Sequence, residues 1–482
     1  MKLQKFFHFT GASQVRRLSL PLAVSLILFS GMSTAEPVDS GDRALMARGQ
    51  YLATAADCGA CHTSPHQGEP MAGGYAIASP MGSIYASNIT PSPTAGIGGY
   101  SEAEFARAVR EGINKQGQHL YPAMPYPSYA KISDEDIHAL YVWFMHGVRP
   151  VDVAAPQTRL PFPFNLRASM AVWNLMFAEN TRFVPSPTAS DEVNRGDYLV
   201  NALAHCDTCH TPRNLLMGQQ NDQPLAGGSL GSWYAPDITP DVHSGIGGWS
   251  KAELAQYLKT GHVKGKAQAA GPMAEAVEHS LQHLTDPDIN AIVAYLQQVP
   301  ASGGGAARSR DGFGQPSSTE QQRRGDNKAD DAGWQIYSST CAACHQPDGQ
   351  GTARYPSLFH NTATGAEQAD NLIATILFGV QRKVQDEAVA MPAFGPAAAW
   401  TDRLSDRQVA DVSNYVLQQY GNPALHVTEQ QVQTVREGGE TPLLVRLTRP
   451  WVLTAVVIVA GAMVAGGLAL TRRKRRRYGT KK

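Results

Sequence analysis

The sequence predicts an all-α protein: three tandem helical domains followed by a single C-terminal transmembrane helix. Three observations lead there. One cysteine motif occurs three times at domain-length spacing, each copy is closed by a segment with helical periodicity behind a capping residue, and the chain ends in a charge-free apolar run. At about 150 residues per domain, 482 residues make room for roughly three separate cores. With 17% charged and 43% apolar residues, the chain is neither a disordered polyelectrolyte nor a polytopic membrane protein.

The two ends differ from the body. Lys2, Lys5, Arg16 and Arg17 precede an apolar run over 18–32, and Ser33-Thr34-Ala35 supplies small residues for cleavage, so 1–35 is predicted to be a secretory signal peptide. The Arg16-Arg17 pair is also compatible with a twin-arginine signal, but the ordinary charged and apolar regions favour general secretion. At the other end, residues 451–470 carry no charge and are long enough as a helix to cross a hydrocarbon core of about 30 Å. Arg472 to Arg477 are all basic, which predicts a cytoplasmic tail at 471–482 and an inner-membrane protein whose other domains lie in the periplasm. Although Lys+Arg and Asp+Glu balance at 41 each, residues 36–470 hold 29 basic against 41 acidic residues. That acidic body excludes nucleic acid as a partner, because phosphate needs a basic face.

All six cysteines fall into three Cys-x-x-Cys-His motifs: Cys58, Cys61 and His62; Cys206, Cys209 and His210; Cys341, Cys344 and His345. This is the pattern of c-type haem attachment, with two thiols for the porphyrin and a His for the proximal side of the iron. Disulfides would not require a His after every pair, and zinc would need a fourth ligand near each triplet. The copies lie 148 and 135 residues apart, and flanking residues repeat with them. Arg48-Gly49-Gln50-Tyr51-Leu52 returns as Arg195-Gly196-Asp197-Tyr198-Leu199, and Asn88-Ile89-Thr90-Pro91 as Asp237-Ile238-Thr239-Pro240. The third copy lacks the Gly-rich insert that follows Pro91 and Pro240.

Each repeat ends in a predicted helix. Ser133, Thr285 and Ser405 are candidate N-caps, with Asp136, Asp288 and Gln408 three residues on, and earlier helices start at Ser101 with Glu104 and Ser250 with Glu253. Ile137, Leu140, Tyr141 and Phe144, then Ile289, Ile292, Val293 and Leu296, then Val409, Val412 and Val416 give each closing helix one buried face. No strand alternation stands out, so each repeat is expected to be a helical bundle around a haem. The predicted organisation is a signal peptide (1–35), domain one (36–150), a connector (151–190), domain two (191–300), a flexible linker (301–331), domain three (332–424), a juxtamembrane segment (425–450), the membrane helix (451–470) and the tail (471–482). The linker is rich in Gly, Ser, Gln, Asp and Arg; the connector, with Pro161-Phe162-Pro163-Phe164 and an apolar stretch over 170–177, is too apolar to be free. It is either an interdomain packing element or a docking surface.

The distal ligand decides whether an iron carries electrons or catalyses, since His/Met ligation saturates it. Met391 is the only methionine between Gly333 and Asn422. Met124 and Met273 lie at matched offsets of 62 and 63 residues past His62 and His210, with Met71 and Met81 as rivals in repeat one. Pro356 is a plausible carbonyl partner for the other nitrogen of His345; His119, His262 and His283 receive no role.

The chain resembles the triple-haem cytochrome c subunits of membrane-bound periplasmic dehydrogenases, of the alcohol, gluconate, sorbitol and fructose dehydrogenase type. Gly74, Ser87-Asn88-Ile89-Thr90-Pro91, the run from Leu120 through Met124 to Tyr129, Met145-His146-Gly147-Val148, Pro212-Arg213 and Ala390-Met391-Pro392 carry the resemblance. It implies three class I cytochrome c-like domains, three covalently bound haems c, and Met124, Met273 and Met391 as distal ligands. It also implies a large flavin or quinoprotein catalytic subunit as partner, with room for a small third subunit, and ubiquinone as acceptor. No nucleotide motif or acid–base constellation is present, so oxidation of the organic substrate belongs to the partner. Two further functions remain open at this point: a tethered shuttle to a terminal oxidase, and a haem peroxidase if one iron lacks its Met.

Overall fold

The computed structural model describes residues 40–65, 68–323 and 331–479. The expected signal peptide lies outside the described residues. Helix starts fall where the capping residues stand. Ser101, Ser133, Ser250, Thr285 and Ser405 each accept a backbone N–H from the residue three positions on. At Ser101, Ser250 and Ser405 the Glu104, Glu253 and Gln408 side chains accept the cap's own N–H in return, which satisfies two of the donors a helix start leaves orphaned. The closing helices Asp134–His146, Asp286–Leu296 and Asp406–Tyr420 bury the predicted faces, Ile137, Ile289 and Val409 included.

One crossing recurs in all three repeats. The helix before each Cys-x-x-Cys-His motif, Ser40–Ala55, Asp191–Tyr198 or Ala332–Ile336, meets the closing helix at a glycine. A Cβ at Gly49, Gly196 or Gly333 would come within 2.1, 2.0 and 2.3 Å of the carbonyl oxygens of Ala139, Ala291 and Asp411. Only a residue without a side chain allows backbones to approach so closely.

Repeats one and two share one hydrophobic cluster that runs from Leu52 and Leu140 through Leu199 to Ile292, and repeat three builds its own around Ile373, Leu377 and Val416. Two tyrosines bind the first two repeats reciprocally. Arg48 and Tyr198 donate to Asp136, at 2.6 and 2.7 Å, while Arg195 and Tyr51 donate to Asp288, at 2.7 and 2.6 Å. Each repeat thus supplies the tyrosine for the other's aspartate.

Three expectations need correction. The chain is not all-α: the described residues hold four two-stranded antiparallel hairpins, Ala76–Ser79 with Gly82–Tyr85, Gly228–Leu230 with Trp233–Ala235, His262–Val263 with Ala267–Gln268, and Val380–Val384 with Glu387–Met391. They escape a periodicity search because strands of two to five residues hold too few positions to show alternation. Second, Pro450–Gly479 is one continuous helix, yet among the described residues no helix is long and apolar enough to cross a membrane. Length and absence of charge set the expectation, but the helix that holds this stretch is longer than it and runs unbroken into the basic cluster. The single C-terminal span, and the inner-membrane placement built on it, are withdrawn. Third, part of the segment read as a flexible linker is packed: the Asp311 and Phe313 carbonyls accept from His360 Nδ1 and the His360 N–H, and Arg310 reaches into repeat two. Its polar composition hid this, because arginine can bury its stem while carbonyls receive its head.

Within the connector, helix Ser169–Phe177 packs by one side. Trp173 lies beside Tyr126 of repeat one and donates to the Leu216 carbonyl of repeat two, and Leu175 on the other side is 88% exposed.

Candidate haem-binding sites

Each motif forms about one turn of helix, Cys58–His62, Cys206–His210 and Ala342–His345, the last following the π-turn Tyr337–Cys341. At 3.6 residues per turn, cysteines three apart share a face and the following His adjoins the second of them. The first two turns begin behind residues in the left-handed region, Asp57 (φ 54°) and His205 (φ 39°), which set the turn off sharply from the preceding helix.

The three imidazoles are held alike. His62 Nδ1 lies 2.6 Å from the Ser87 carbonyl, His210 Nδ1 2.6 Å from that of Pro236, and His345 Nδ1 3.0 Å from that of Pro356. A carbonyl only accepts, so Nδ1 carries the proton and Nε2 is left with its lone pair for a metal. Burial lowers the pKa of all three rings, which keeps them in the neutral form a ligand requires. Pro356 was legible in the sequence; Ser87 and Pro236 were missed. Their signal was the repeat itself, since each immediately precedes a matched residue, Asn88 or Asp237. Those two brace the carbonyl-bearing loops: Asn88 Oδ1 accepts from the Thr90 N–H and Asp237 Oδ1 from the Thr239 N–H.

All six thiols are free. Burial pushes Cys58, Cys61, Cys206 and Cys341 up to about 12 and Cys209 up to about 11, so they stand as neutral thiols in apolar surroundings. Among the described residues no group of three or more His, Cys, Asp or Glu is gathered in the manner of a metal cluster. Instead a predominantly apolar cavity of about 2490 Å³ opens over the first motif, lined by Cys58, Cys61 and His62 and by Met124. Such a volume exceeds the usual range for a small-molecule pocket. Paired thiols, a neutral imidazole with a free Nε2 and a large apolar space fit a covalently held macrocycle with an axially bound iron.

The structure brings Met124 into the same cavity as His62, and Met81 lines it too, whereas the Met71 methyl lies against the motif helix, 3.6 Å from the position of a Cβ on Gly59. Met273, in the first turn of helix Gly271–His279, and Cys206 both pack on the shared core of repeats one and two. Met391 ends the second strand of the Val380–Met391 hairpin, paired with Val380. The second motif packs against repeat one. Ser128, just before the closing helix of repeat one, donates to Asp207 of the second motif at 3.0 Å, and the cavity over the first motif extends to Thr208 and Cys209.

Fold and site together define a c-type cytochrome. The family model described as Cytochrome c matches residues 193–300 and 331–419. The chain is 44% identical over 482 aligned residues to the fructose dehydrogenase cytochrome subunit of Gluconobacter japonicus, covering 96% of this chain and 99% of that protein. It is 41% identical to the gluconate 2-dehydrogenase cytochrome c subunit of Pantoea cypripedii, covering 87% and 94%, and 38% identical to the cytochrome c subunit of the quinone-type alcohol dehydrogenase of Gluconacetobacter polyoxogenes, covering 86% and 89%. The chain belongs to the family of cytochrome c subunits of membrane-bound dehydrogenases. It is accordingly an electron-transfer subunit that binds haem c covalently and works with a catalytic dehydrogenase.

Proposed function

We propose that the chain holds three haems c and relays electrons from a catalytic subunit that oxidises an alcohol, a polyol or a sugar acid to ubiquinone. Cys58 with Cys61, Cys206 with Cys209, and Cys341 with Cys344 are the thioether anchors. His62, His210 and His345 are the proximal ligands and Met124, Met273 and Met391 the distal ones. The observation that carries this is the motif turn with its carbonyl-held histidine, built three times from three stretches of chain. When bound, haem supplies one-electron iron chemistry at each site.

The chain's own residues prepare that chemistry. The carbonyls of Ser87, Pro236 and Pro356 fix the plane of each imidazole and hold its Nδ1 proton, so Nε2 keeps one orientation in both oxidation states. Apolar walls exclude water, which limits solvent reorganisation when charge changes. The contact of Ser128 with Asp207 holds the second motif against repeat one.

The test is turnover of the complex with its co-purified catalytic subunit. Addition of fructose, gluconate or ethanol, according to that subunit, should reduce the haems, and a soluble ubiquinone analogue should reoxidise them. Haems that stay oxidised while the catalytic subunit passes electrons directly to the quinone would overturn the relay.

A further inference from the structure

Where repeat two meets the connecting segment and repeat three, two guanidiniums, of the buried Arg382 and the half-buried Arg310, form no ion pair with a carboxylate among the described residues. Arg382, on strand Val380–Val384 of repeat three, is 3% exposed; its Nη1 donates to the Ala269 carbonyl of repeat two at 2.6 Å, and its Nε lies 2.8 Å from the position of a Cβ on Gly261. Arg310, from the segment between repeats two and three, donates through Nη2 to the carbonyls of Asp237 and Gly245, both at 3.2 Å. Asp237 directly follows the residue whose carbonyl holds His210. The Nε atoms of both arginines are buried and have no hydrogen-bond partner.

The carboxylates around them are engaged elsewhere. Asp237 Oδ2 accepts from Ser244, Asp311 pairs with Lys266, and Glu278 accepts the backbone N–H of Lys383. Burial lowers both guanidinium pKa values, though both groups remain cationic, and both interact electrostatically with the phenol of Tyr257 on helix Lys251–Thr260. Nearby, Gln268 Oε1 is a further buried atom without a partner, one residue before the carbonyl that Arg382 uses. A buried guanidinium N–H without an acceptor is costly, and two such donors, both interacting with Tyr257, suit a ligand that carries two carboxylates.

We propose that Arg310 and Arg382 form the seat for the two propionate carboxylates of the haem at the second motif. The inference rests on the haem assignment for Cys206, Cys209 and His210. Repeat two would then not complete its own cofactor site: the connecting segment supplies one cation and repeat three supplies the other. The two arginines are positioning residues. They fix the haem and hold positive charge beside it, which favours the reduced state.

The experiment is a spectroelectrochemical redox titration of the mature protein in the wild type and in Arg310→Gln, Arg382→Gln, Arg310→Lys and Arg382→Lys, with the covalent haem count taken from the mass of the denatured chain. Both Gln variants should lower one midpoint potential of three, the same one in each case and the one that Met273→His also moves. The Lys variants, which keep the charge, should stay closer to the wild type; if a Gln variant does not mature, the Lys variant at that position is compared instead. Arg354→Gln, on an exposed turn, should leave all potentials in place. Three haems with no potential moved, different haems moved by the two positions, or equal shifts in Gln and Lys variants would overturn the propionate seat while leaving the haem assignment standing. A second motif without haem in the wild type would overturn the assignment itself.

Discussion

Asp288 shows how a single side chain joins sequence, stability and pH. As an N-terminal helix residue three places after Thr285 it was legible as part of a cap, but its second task was not, because Tyr51 and Arg195 reach it from 237 and 93 residues away. Burial opposes its ionisation, but the hydrogen bonds from Arg195 and Tyr51 outweigh this and hold the carboxyl below the usual aspartate range. A depressed folded pKa means that the contribution is fully present above about pH 4, the ordinary aspartate value, and is lost as pH falls through the folded value. Asp288→Asn should therefore destabilise the protein by about 2 kcal/mol in urea unfolding at pH 7 and narrow the gap to the wild type as the pH drops below 4. A gap that is independent of pH would contradict the ion pair. The proposed ligands are the other lesson at this scale. The motif singles out the histidines, while the preference for Met124 over Met81 rests on the repeat offset alone, since both line the cavity. Met391→His should keep the third haem low-spin and lower its potential, because a nitrogen donor favours the ferric state more than a thioether does. An unchanged redox titration would place the ligand elsewhere.

Among the elements, helices were readable because their signals are local: a capping oxygen, a carboxylate or amide three residues on, and an apolar stripe. The hairpins were not. In Val380–Val384 the position facing repeat two between Val380 and Val384 is Arg382, so the polar residue that would argue against a buried strand is the one the fold uses. The packed part of the connecting segment was misread for the same reason at Arg310. The crossing glycines sit between these cases. Arg48-Gly49 and Arg195-Gly196 were visible as repeated residues, but their role required the partner helix. Gly196→Ala should force a Cβ onto the Ala291 carbonyl and cost about 1–3 kcal/mol, read as a lower thermal midpoint with the haem count unchanged. An unaltered midpoint would mean that the helices separate freely at that crossing.

At the scale of the whole molecule, the sequence shows three repeats and the described residues form two cores. Repeats one and two share a hydrophobic cluster and exchange tyrosines, so they should unfold as one cooperative unit, with repeat three following its own core. Tyr51→Phe and Tyr198→Phe each remove one cross-repeat hydrogen bond and should each lower the stability of that unit by about 1 kcal/mol, and both first-site and second-site haem signals should shift together in a denaturant titration. Separate transitions for those two sites would contradict a shared core. The central claim is that three stretches of this chain each hold a covalent haem c, and the most direct measurement is the mass of the fully matured, denatured protein compared with the mass its sequence requires. A mass that corresponds to three bound haems, falling to two when Cys341 and Cys344 are both replaced by alanine, is the predicted result. A mature protein that carries two haems or fewer would contradict it.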